Sequence, residues 1–544
     1  MDARRAASTG LVVCLGAIAY LVAKGYRARL RFYQLRQQGM PMPPWNPILG
    51  HLLAVPPVIA TLPEDTQQPD AFEALCRAHE KDDSIIYLDM WPFADPMMVV
   101  CSPVLAVQAC GQELDLVKPP ILHRFFAPLA GGDNLFTMNG PEWKRSRALF
   151  NAGFGASYIM QQTDHVVEET KIYVEVLREY AQKGKVFSLD EATCWYTMDI
   201  IGAVTLDSRL QSQRQNNPLA TALRRQIDWH ILDNEWNLLK RYNPARPFVH
   251  WYNGRQMDKY ISAELDKRYA EWTKDEAAGS TTSRSVIHLA LSSYMSQQKD
   301  QPRPEKLDPA FKRWATVQIR LFLFAGHDST SSTICYAFYL LHSHPDALAK
   351  LRAEHDDIFG TDLTETADKI CAQPNLVNQL PYTTAVIKES LRLFPPASAM
   401  RGGNPGVHLV DQKGNRYPTE GTNLWILHSA IQRNEKYWVD PLAFRPERWL
   451  VDPEDELFPS AKGAWRPFEY GPRNCLGQTL AMLDVKICLA LTVREFDVKP
   501  AYDEWDAQNP TSKIKHVNGE RAYQTQKGGA HPADGFPCRV TVRA

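Results

Sequence analysis

The sequence lacks several features that would assign it to a class at once. Its ten cysteines include no C-x-x-C pair, which argues against a structural zinc site and a disulfide framework. The formal net charge is only −1, so the chain carries no strong electrostatic footprint for nucleic acid. We find no internal repeat and no long low-complexity tract, so a repeat array is excluded. Reduced cysteines are typical of a domain that faces the cytosol.

An apolar run of full membrane-spanning length is also missing. The charge-free run from Thr9 to Ala23 covers fifteen residues, about 22 Å of helix against a hydrocarbon core of about 30 Å. The segment after this run is more basic than the segment before it, so the positive-inside rule keeps the main domain in the cytosol. A cleaved signal peptide has an apolar region of this length and stays an alternative. We expect a single N-terminal transmembrane helix that anchors the chain in the endoplasmic reticulum membrane.

The next segments predict a linker, two strands and a loop. Residues 40–51 contain four prolines within seven positions, which favours a stiff, extended linker. The apolar runs Ser84–Met90 and Met97–Cys101 predict two strands that begin a small β region. Residues 115–135 mix proline, glycine and aromatic residues, and we expect a long irregular loop there.

The most informative stretch runs from Pro467 to Gly477, immediately before a segment with helical apolar periodicity. Gly471 and Gly477 are expected to adopt backbone conformations that a Cβ would forbid. Cys475 precedes the predicted helix, whose N-terminus, together with the charge of Arg473, favours a thiolate. A thiolate in an apolar loop is a candidate metal ligand, and a buried structural cysteine is the alternative.

This stretch reads F-x-x-G-x-R-x-C-x-G and resembles the haem-ligand signature of the cytochrome P450 family, the haem-thiolate monooxygenases. Five positions match the signature: Phe468, Gly471, Arg473, Cys475 and Gly477. The resemblance implies a mainly α-helical fold with a small β region, and haem b bound by Cys475, with Phe468, Arg473 and Gly477 beside it. It divides the chain into a membrane anchor with a basic flank (1–39), a hinge (40–51) and a haem-thiolate catalytic domain (52–544).

A second element of this resemblance lies in the segment Gly140–Arg147, which predicts a helix. Trp143 and Arg147 are four residues apart and therefore share a helix face. The resemblance implies a W-x-x-x-R pair that reaches a haem propionate, whereas the residues alone also allow an ordinary amphipathic surface helix. Lys144 and Arg145 would then point outward, either as a basic face that receives an acidic electron donor or as an ordinary solvated charge run.

A third element is a long helical run from Phe311 to Leu341 whose middle contains one glycine and a cluster of serine and threonine, all poor helix formers. An acid beside an alcohol suggests proton delivery, although a kinked helix with satisfied hydroxyls is the alternative. The segment resembles the family motif A-G-x-D-T-T, with Ser329 at the usual threonine position. The resemblance implies that Asp328 and Ser329 deliver protons to bound oxygen, and Thr330 is a further candidate. The small residues of the motif that would lie against the haem are Ala325 and Gly326.

Structural and propionate-binding positions follow from the same resemblance. The E-x-x-R pair Glu389 and Arg392, with Arg448 of the later P-E-R-W segment, is expected to lock the core on the haem side. Arg401 matches the usual second propionate-binding position.

Substrate contacts are also expected from the resemblance. The aromatic-rich stretch Trp229–Trp251 would belong to the roof of the substrate pocket, and residues 528–531 would form a turn that enters it. The candidate substrate contacts are Phe125, Phe126, Leu129, Phe324, Ala397 and Ala530.

The resemblance implies that one oxygen atom from O2 is inserted into a lipophilic small molecule, in the manner of fungal secondary-metabolism enzymes. No flavin or nicotinamide domain remains, so NADPH-derived electrons are expected from a separate NADPH–cytochrome P450 reductase. A haem-thiolate isomerase or dehydratase, which needs no reductase, and a non-catalytic haem-binding protein are the alternatives. The acid–alcohol pair favours monooxygenation over the isomerase or dehydratase.

Overall fold

The computed structural model describes residues 2–79, 85–114, 116–230, 242–277, 285–296, 305–510 and 513–543. Most of these residues are helical. The α-helices in chain order are α1 Asp2–Gln37, α2 Val55–Ile59, α3 Gln68–His79, α4 Pro103–Cys110, α5 Pro120–Ala130, α6 Gly140–Asn151, α7 Ala156–Met160, α8 Thr163–Lys183, α9 Leu189–Leu206, α10 Pro218–Asp228, α11 Arg246–Ala277, α12 Val286–Ser296, α13 Pro309–Ser343, α14 Pro345–Phe359, α15 Thr366–Ala372, α16 Pro381–Leu393, α17 His428–Gln432, α18 Gln478–Thr492 and α19 Tyr502–Gln508. Short 3-10 helices cover Ala152–Phe154, Leu363–Glu365, Pro374–Gln379, Pro446–Trp449, Gly471–Arg473 and Ala533–Gly535.

The β region is small, as predicted, and is divided into several sheets. Its strands are β1 Ile85–Leu88, β2 Met97–Val100, β3 Phe187–Ser188, β4 Ala399–Gly402, β5 His408–Val410, β6 Arg416–Pro418, β7 Asn423–Ile426, β8 Phe496–Pro500, β9 Gln524–Lys527, β10 Gly529–Pro532 and β11 Pro537–Val542. The largest sheet has the order β1-β2-β7-β4, in which only the β2–β7 pair is parallel. The other sheets have the orders β3-β11-β8, β10-β9 and β5-β6. The two strands predicted near residues 84–101 are therefore confirmed as the antiparallel pair β1–β2.

The long helix α13 runs through the main apolar core, and its position confirms the predicted helical run. Most of its residues between Phe311 and Leu341 are buried, because other helices surround it. It packs most extensively on α9. A Cβ at Gly326 would lie 2.6 Å from Cγ1 of Ile201, so this glycine allows the two helices to cross closely.

Helix α1 has two dissimilar parts. Its last turns pack against the domain: Phe32 is fully buried, and Arg29 forms a buried ion pair with Asp89 beside β1. Its earlier part exposes large apolar side chains, among them Leu11, Val12, Leu15, Ile18, Leu21 and Val22. The expected transmembrane helix is not supported, since no helix within the described residues combines the length and the apolarity needed to cross a bilayer. The division at residues 39 and 51 stays a prediction.

Two local expectations are wrong. Residues 120–130 of the expected irregular loop form helix α5, because Pro120 occupies its first turn and Gly131 ends it with φ +89°. The expected turn at 528–531 is mostly strand: only Gly528 turns, and 529–532 form β10 paired with β9. Of the aromatic-rich stretch 229–251, residues 231–241 lie outside the described residues.

Candidate functional site

The loop before α18 presents Cys475. The Cys475 backbone N–H donates a 2.8 Å hydrogen bond to the Phe468 carbonyl, which closes the loop. Gly471 has φ +78°, and a Cβ there would collide with the carbonyl oxygen of Cys110, so this glycine is required as predicted. The prediction for Gly477 is wrong, because its φ is −86° and a Cβ at this position would have no atom within 4 Å. Gly477 instead leaves open space beside the thiol.

The surroundings of Cys475 have opposing effects on the pKa of its thiol. Burial raises the pKa of its thiol, and this effect exceeds the lowering by the N–H groups of Gly477 and Gln478 and by the Arg147 charge. The expected net lowering of the pKa by the helix N-terminus is therefore wrong for the protein by itself. The residue as a whole is exposed in the folded chain although its thiol is desolvated, and a cation bound there would add the charge that a thiolate needs.

Helix α6 and the cysteine loop are joined by two arginines. The Arg473 guanidinium lies over the buried Trp143 ring, with 4.0 Å from Cζ to the ring centroid. Arg147 donates to the Asn474 carbonyl at 3.0 Å and to its side-chain Oδ1 at 2.9 Å. The structure thus brings Trp143 and Arg147 next to the cysteine loop, and their expected contact with a haem propionate stays a prediction.

Two further cations near this loop have incomplete partners. Lys118 is buried, and its ammonium lies 4.2 Å from the Phe136 ring centroid with no ion pair among the described residues. Burial holds the Lys118 pKa well below its usual value, and the nearby Arg401 lowers it further. Arg401 is 1% exposed, donates from Nη1 to the Met400 carbonyl at 2.9 Å, and has a buried Nη2 without a partner in the described part of the chain. Buried cations without partners are costly, so this arrangement suits a bound anion.

The α13 segment of small residues has two distinct faces. Ala325 is exposed, and Gly326 and Ser329 are partly exposed, in the middle of a helix that is otherwise buried. Ser329 Oγ donates to the Ala325 carbonyl at 2.8 Å. Thr330 is 4% exposed and does not share this open face. The segment therefore leaves accessible surface along one line of α13, where the motif predicts contact with haem.

Asp328 lies on the other side of α13. Its Oδ2 accepts from the Gly529 backbone N–H, and its Oδ1 accepts from His531 Nε2 at 3.1 Å. Burial raises the Asp328 pKa, but the His531 charge and hydrogen bond outweigh burial and hold that pKa below its usual value. A Cβ at Gly529 would lie 2.5 Å from Asp328 Oδ2, so only glycine permits this contact. The sequence gives no signal for His531 beyond its place in the C-terminal hairpin.

Glu389, Arg392 and Arg448 meet in a fully buried network. Glu389 Oε1 accepts from Arg392 Nη2 at 2.8 Å and from Arg448 Nε at 2.9 Å. Its Oε2 accepts from Arg392 Nε at 2.9 Å and from Trp449 Nε1 at 3.0 Å. All three charged side chains are 0% exposed. The network joins α16 to the Pro446–Trp449 helix, which is the geometry that a structural lock requires.

The candidate substrate contacts divide into exposed and buried residues. Phe125 lines a cavity of about 890 Å³ that also includes Met400. Phe126 packs on Phe125 with 5.1 Å between ring centroids, and Ala397 is exposed. Leu129, Phe324 and Ala530 are 0%, 6% and 3% exposed, so they support the core and offer almost no surface to a ligand.

The same cavity contains a residue that sequence reasoning missed. His230 lines its wall, is 8% exposed, and packs edge-on against Phe125 with 4.6 Å between ring centroids. Within the described residues, neither ring nitrogen has a hydrogen-bond partner. Burial lowers the His230 pKa to about 4, so the ring is neutral at physiological pH. A neutral imidazole offers one donor and one acceptor to a ligand in the cavity.

These observations fit the haem that the signature implies. The thiol of Cys475 can bind a metal, and Gly477 leaves space beside it. The exposed surface at Ala325 suits a flat apolar group. The carboxylates of such a group would be bound by the Lys118 ammonium and by Arg401 Nη2, because these two groups lack anionic partners among the described residues. Lys118 was missed because it lies in the segment read as an irregular loop.

Comparison with known proteins agrees with this geometry. The family model for Cytochrome P450 matches residues 40–525. The chain is 41% identical to cytochrome P450 monooxygenase polC of Polytolypa hystricis, over 98% of this chain and 95% of the relative. It is 31% identical to cytochrome P450 monooxygenase acrF of Aspergillus aculeatus, over 88% and 98% of the two chains.

Solved structures show the same fold. The crystal structure of a cytochrome P450 (CYP102L1) superposes with a TM-score of 0.70 at 20% identity, over 93% of this chain and 99% of the other. A cytochrome P450DA haem domain gives a TM-score of 0.69 at 20% identity, over 93% and 98% of the two chains. Together with the family match and the cysteine loop, these similarities lead to one conclusion. The chain belongs to the cytochrome P450 family of haem-thiolate monooxygenases.

Proposed function

We propose that the protein inserts one oxygen atom from O2 into a lipophilic small molecule in fungal secondary metabolism. The observation that carries this proposal is the cysteine loop, which presents Cys475 next to buried cations that lack anionic partners among the described residues. As a member of its family, the chain uses haem and O2 and receives electrons from a redox partner. We infer that the haem is haem b and that the electrons come from NADPH through NADPH–cytochrome P450 reductase.

The chain's own residues would act by binding, orienting and holding protons. Cys475 would be the thiolate ligand of the haem iron, and Lys118 and Arg401 would bind its propionates. When bound, haem supplies the redox chemistry that activates O2. The Ser329 hydroxyl would offer a hydrogen bond at the open face of α13, and the carboxyl group of Asp328, the preceding residue, would take part in proton delivery.

The substrate proposal rests on the composition of the large cavity. Phe125, Met400 and Trp425 give it apolar walls, which suit a lipophilic molecule. His230 adds a neutral donor–acceptor pair, which suits a hydroxyl or carbonyl oxygen on that molecule. The relatives in Polytolypa hystricis and Aspergillus aculeatus are fungal proteins, which supports a fungal biosynthetic role.

Two surfaces support the proposed partners. Lys144 and Arg145 are exposed on α6, on the helix whose Arg147 contacts the cysteine loop. This basic face would receive an acidic face of the reductase. The exposed apolar side chains of α1 support attachment to the endoplasmic reticulum membrane, with the remaining chain in the cytosol.

The test is the spectrum of the reduced carbon monoxide complex. Cys475→His should abolish the thiolate-type band, whereas Cys371→Ser, at a half-buried cysteine on α15, should retain it. A thiolate-type band in Cys475→His would show that another residue binds the iron.

A second measurement separates the proposed activity from its alternatives. Reductase-dependent NADPH consumption, stimulated by a lipophilic compound that changes the haem spin state, is expected for a monooxygenase. A haem-thiolate isomerase or dehydratase would convert its substrate without the reductase. A haem-binding protein would give the spectrum without NADPH consumption in the presence of any such compound.

A further inference from the structure

The C-terminal hairpin places His531 of β10 between two carboxylates. His531 Nδ1 lies 2.6 Å from Oδ1 of Asp190 in α9, and Nε2 lies 3.1 Å from Oδ1 of Asp328 in α13. All three side chains are 5% exposed or less. Three elements that are distant in sequence therefore meet at one imidazole.

Hydrogen bonding defines the charge of this ring. Each ring nitrogen faces a carboxylate oxygen, and only the imidazolium can donate from both nitrogens. Burial lowers the His531 pKa, but Asp190 and Asp328 outweigh burial and hold it well above its usual value. The charged or titratable groups that face this cluster from the surrounding elements are Arg224, Cys194, His327, Cys335, Tyr336 and Lys527. Lys527 is exposed, whereas Arg224 adds a second positive charge close to the two buried carboxylates.

We propose that His531 is a positioning residue for Asp328: as a cation anchored by Asp190, it holds the Asp328 carboxylate ionised and turned away from the face of α13 that Ser329 occupies. This inference rests on the proposed monooxygenase function. It adds to that function a residue on the last hairpin and a second carboxylate that anchors it. Asp328 can turn toward Ser329 only when its hydrogen bonds to His531 and Gly529 are released, so the hairpin controls the acid.

A metal site is the competing interpretation of the same residues. Ligand atoms of Asp190, Cys194 and His531 lie within 4.8 Å of one another. Both His531 nitrogens, however, are already bonded to carboxylates, and Arg224 Nη1 lies 3.4 Å from the Cys194 sulfur. A metal would have to displace these contacts beside a fixed positive charge, so the structure favours the ion-paired imidazolium.

The first test measures the protonation of His531 directly. Full-length, haem-loaded protein labelled with 15N-histidine is titrated from pH 6 to 9 by NMR, and the His531 signals are assigned by their loss in His531→Gln. We expect His531 to keep the imidazolium signature well above about pH 6.5, where an unperturbed imidazole loses its proton. His355 is an internal control, since it is equally buried but bonds the Thr383 hydroxyl, and burial lowers its pKa to about 3. A His531 that titrates near or below pH 6.5, or that shifts on addition of Zn2+, would overturn the proposal.

The second test uses Asp190→Asn, which changes the anchor and leaves Asp328 intact. Removal of the Asp190 charge should lower the pH at which His531 loses its proton by about one unit or more. The fraction of NADPH electrons recovered in product should then begin to fall at correspondingly lower pH. His531→Gln should lower this fraction several-fold across the pH range. A merely structural role would lower activity without moving the pH profile, and that result would contradict the proposal. Failure of the proposed function is distinguishable, because the wild-type protein would then lack the thiolate-type carbon monoxide band or would show no reductase-dependent NADPH consumption, whereas the protonation of His531 in the first test depends on neither.

Discussion

Asp328 and Ser329 are neighbours in α13, yet their side chains are bonded to different parts of the protein. The Asp328 carboxylate accepts from Gly529 and His531 of the C-terminal hairpin. The Ser329 hydroxyl donates to the Ala325 carbonyl within the helix, on the face that carries accessible surface. Successive residues of an α-helix project about 100° apart, which separates the acid from the alcohol. This separation leads to the first prediction.

Ser329→Ala should raise the amount of peroxide released per NADPH several-fold. The reason is that it removes the one hydroxyl of the acid–alcohol pair, which lies on the open face of α13. Ser329→Thr should keep coupling at or above the wild-type value, since it restores the hydroxyl that the family motif usually has. Thr330→Val is the matched control, and its buried position predicts little change in coupling. Equal peroxide release in wild type and Ser329→Ala, measured with purified reductase, would assign the role to Thr330 or to water.

Lys118→Met should have opposite effects on two quantities: it should stabilise the haem-free protein and weaken haem retention. The buried Lys118 ammonium has no ion pair among the described residues, so its removal should raise the melting temperature of the haem-free protein. The same change should speed haem loss to an acceptor protein by about tenfold, equivalent to about 1.4 kcal/mol for one charge-assisted hydrogen bond.

Lys144→Met, at an exposed position on α6, is the control for this experiment and should alter neither quantity. If Lys118→Met retained haem as well as wild type, the lysine would have no part in binding propionate.

Glu389→Gln should destabilise the protein by about 3 kcal/mol or more, because it leaves Arg392 and Arg448 buried without their carboxylate. Denaturant unfolding followed by circular dichroism measures this loss. Glu447→Gln is the control, since Glu447 pairs with Lys350 at the surface and its loss should cost less than about 1 kcal/mol. Comparable losses for the two variants would show that the buried network does not lock the core.

Asp484 on α18 should make stability depend on pH. Burial raises its pKa to about 7, although Tyr196 donates a 2.6 Å hydrogen bond to it. Between about pH 4 and pH 7, Asp484 is therefore protonated in the folded state and ionised in the unfolded state. The free energy of unfolding consequently falls as pH rises through this window.

Asp484→Asn removes this proton linkage. The difference in free energy of unfolding, variant minus wild type, should therefore become more positive by about 2 to 4 kcal/mol when the pH is raised from 4.5 to 7.5. Thermal unfolding at several pH values provides the measurement. A difference that is constant with pH would mean that Asp484 is ionised in the folded protein.

The sequence alone was sufficient for the features that depend on local spacing. The cysteine signature and the period of α13 both reflect residues a few positions apart, and the family match and the long helix confirm what they predict. The haem contacts of Trp143 and Arg147 stay a prediction. Glu389 and Arg392 are likewise three residues apart on one helix face. Local signals gave the wrong backbone at three places. Pro120 and Gly131 begin and end a helix rather than interrupt a loop, residues 529–532 form a strand rather than a turn, and Gly477 has a negative φ.

Only the tertiary structure decided which side chains combine over long distances. Spacing in the chain contains no information that His531 lies between Asp190 and Asp328, because a contact across 341 residues depends on how three elements pack. Burial likewise raised the pKa of the Cys475 thiol, although the N–H groups of the adjacent helix terminus lower it, and burial lowered the pKa of Lys118. Desolvation depends on all surrounding atoms, whichever part of the chain supplies them, so it becomes known only when the chain has folded.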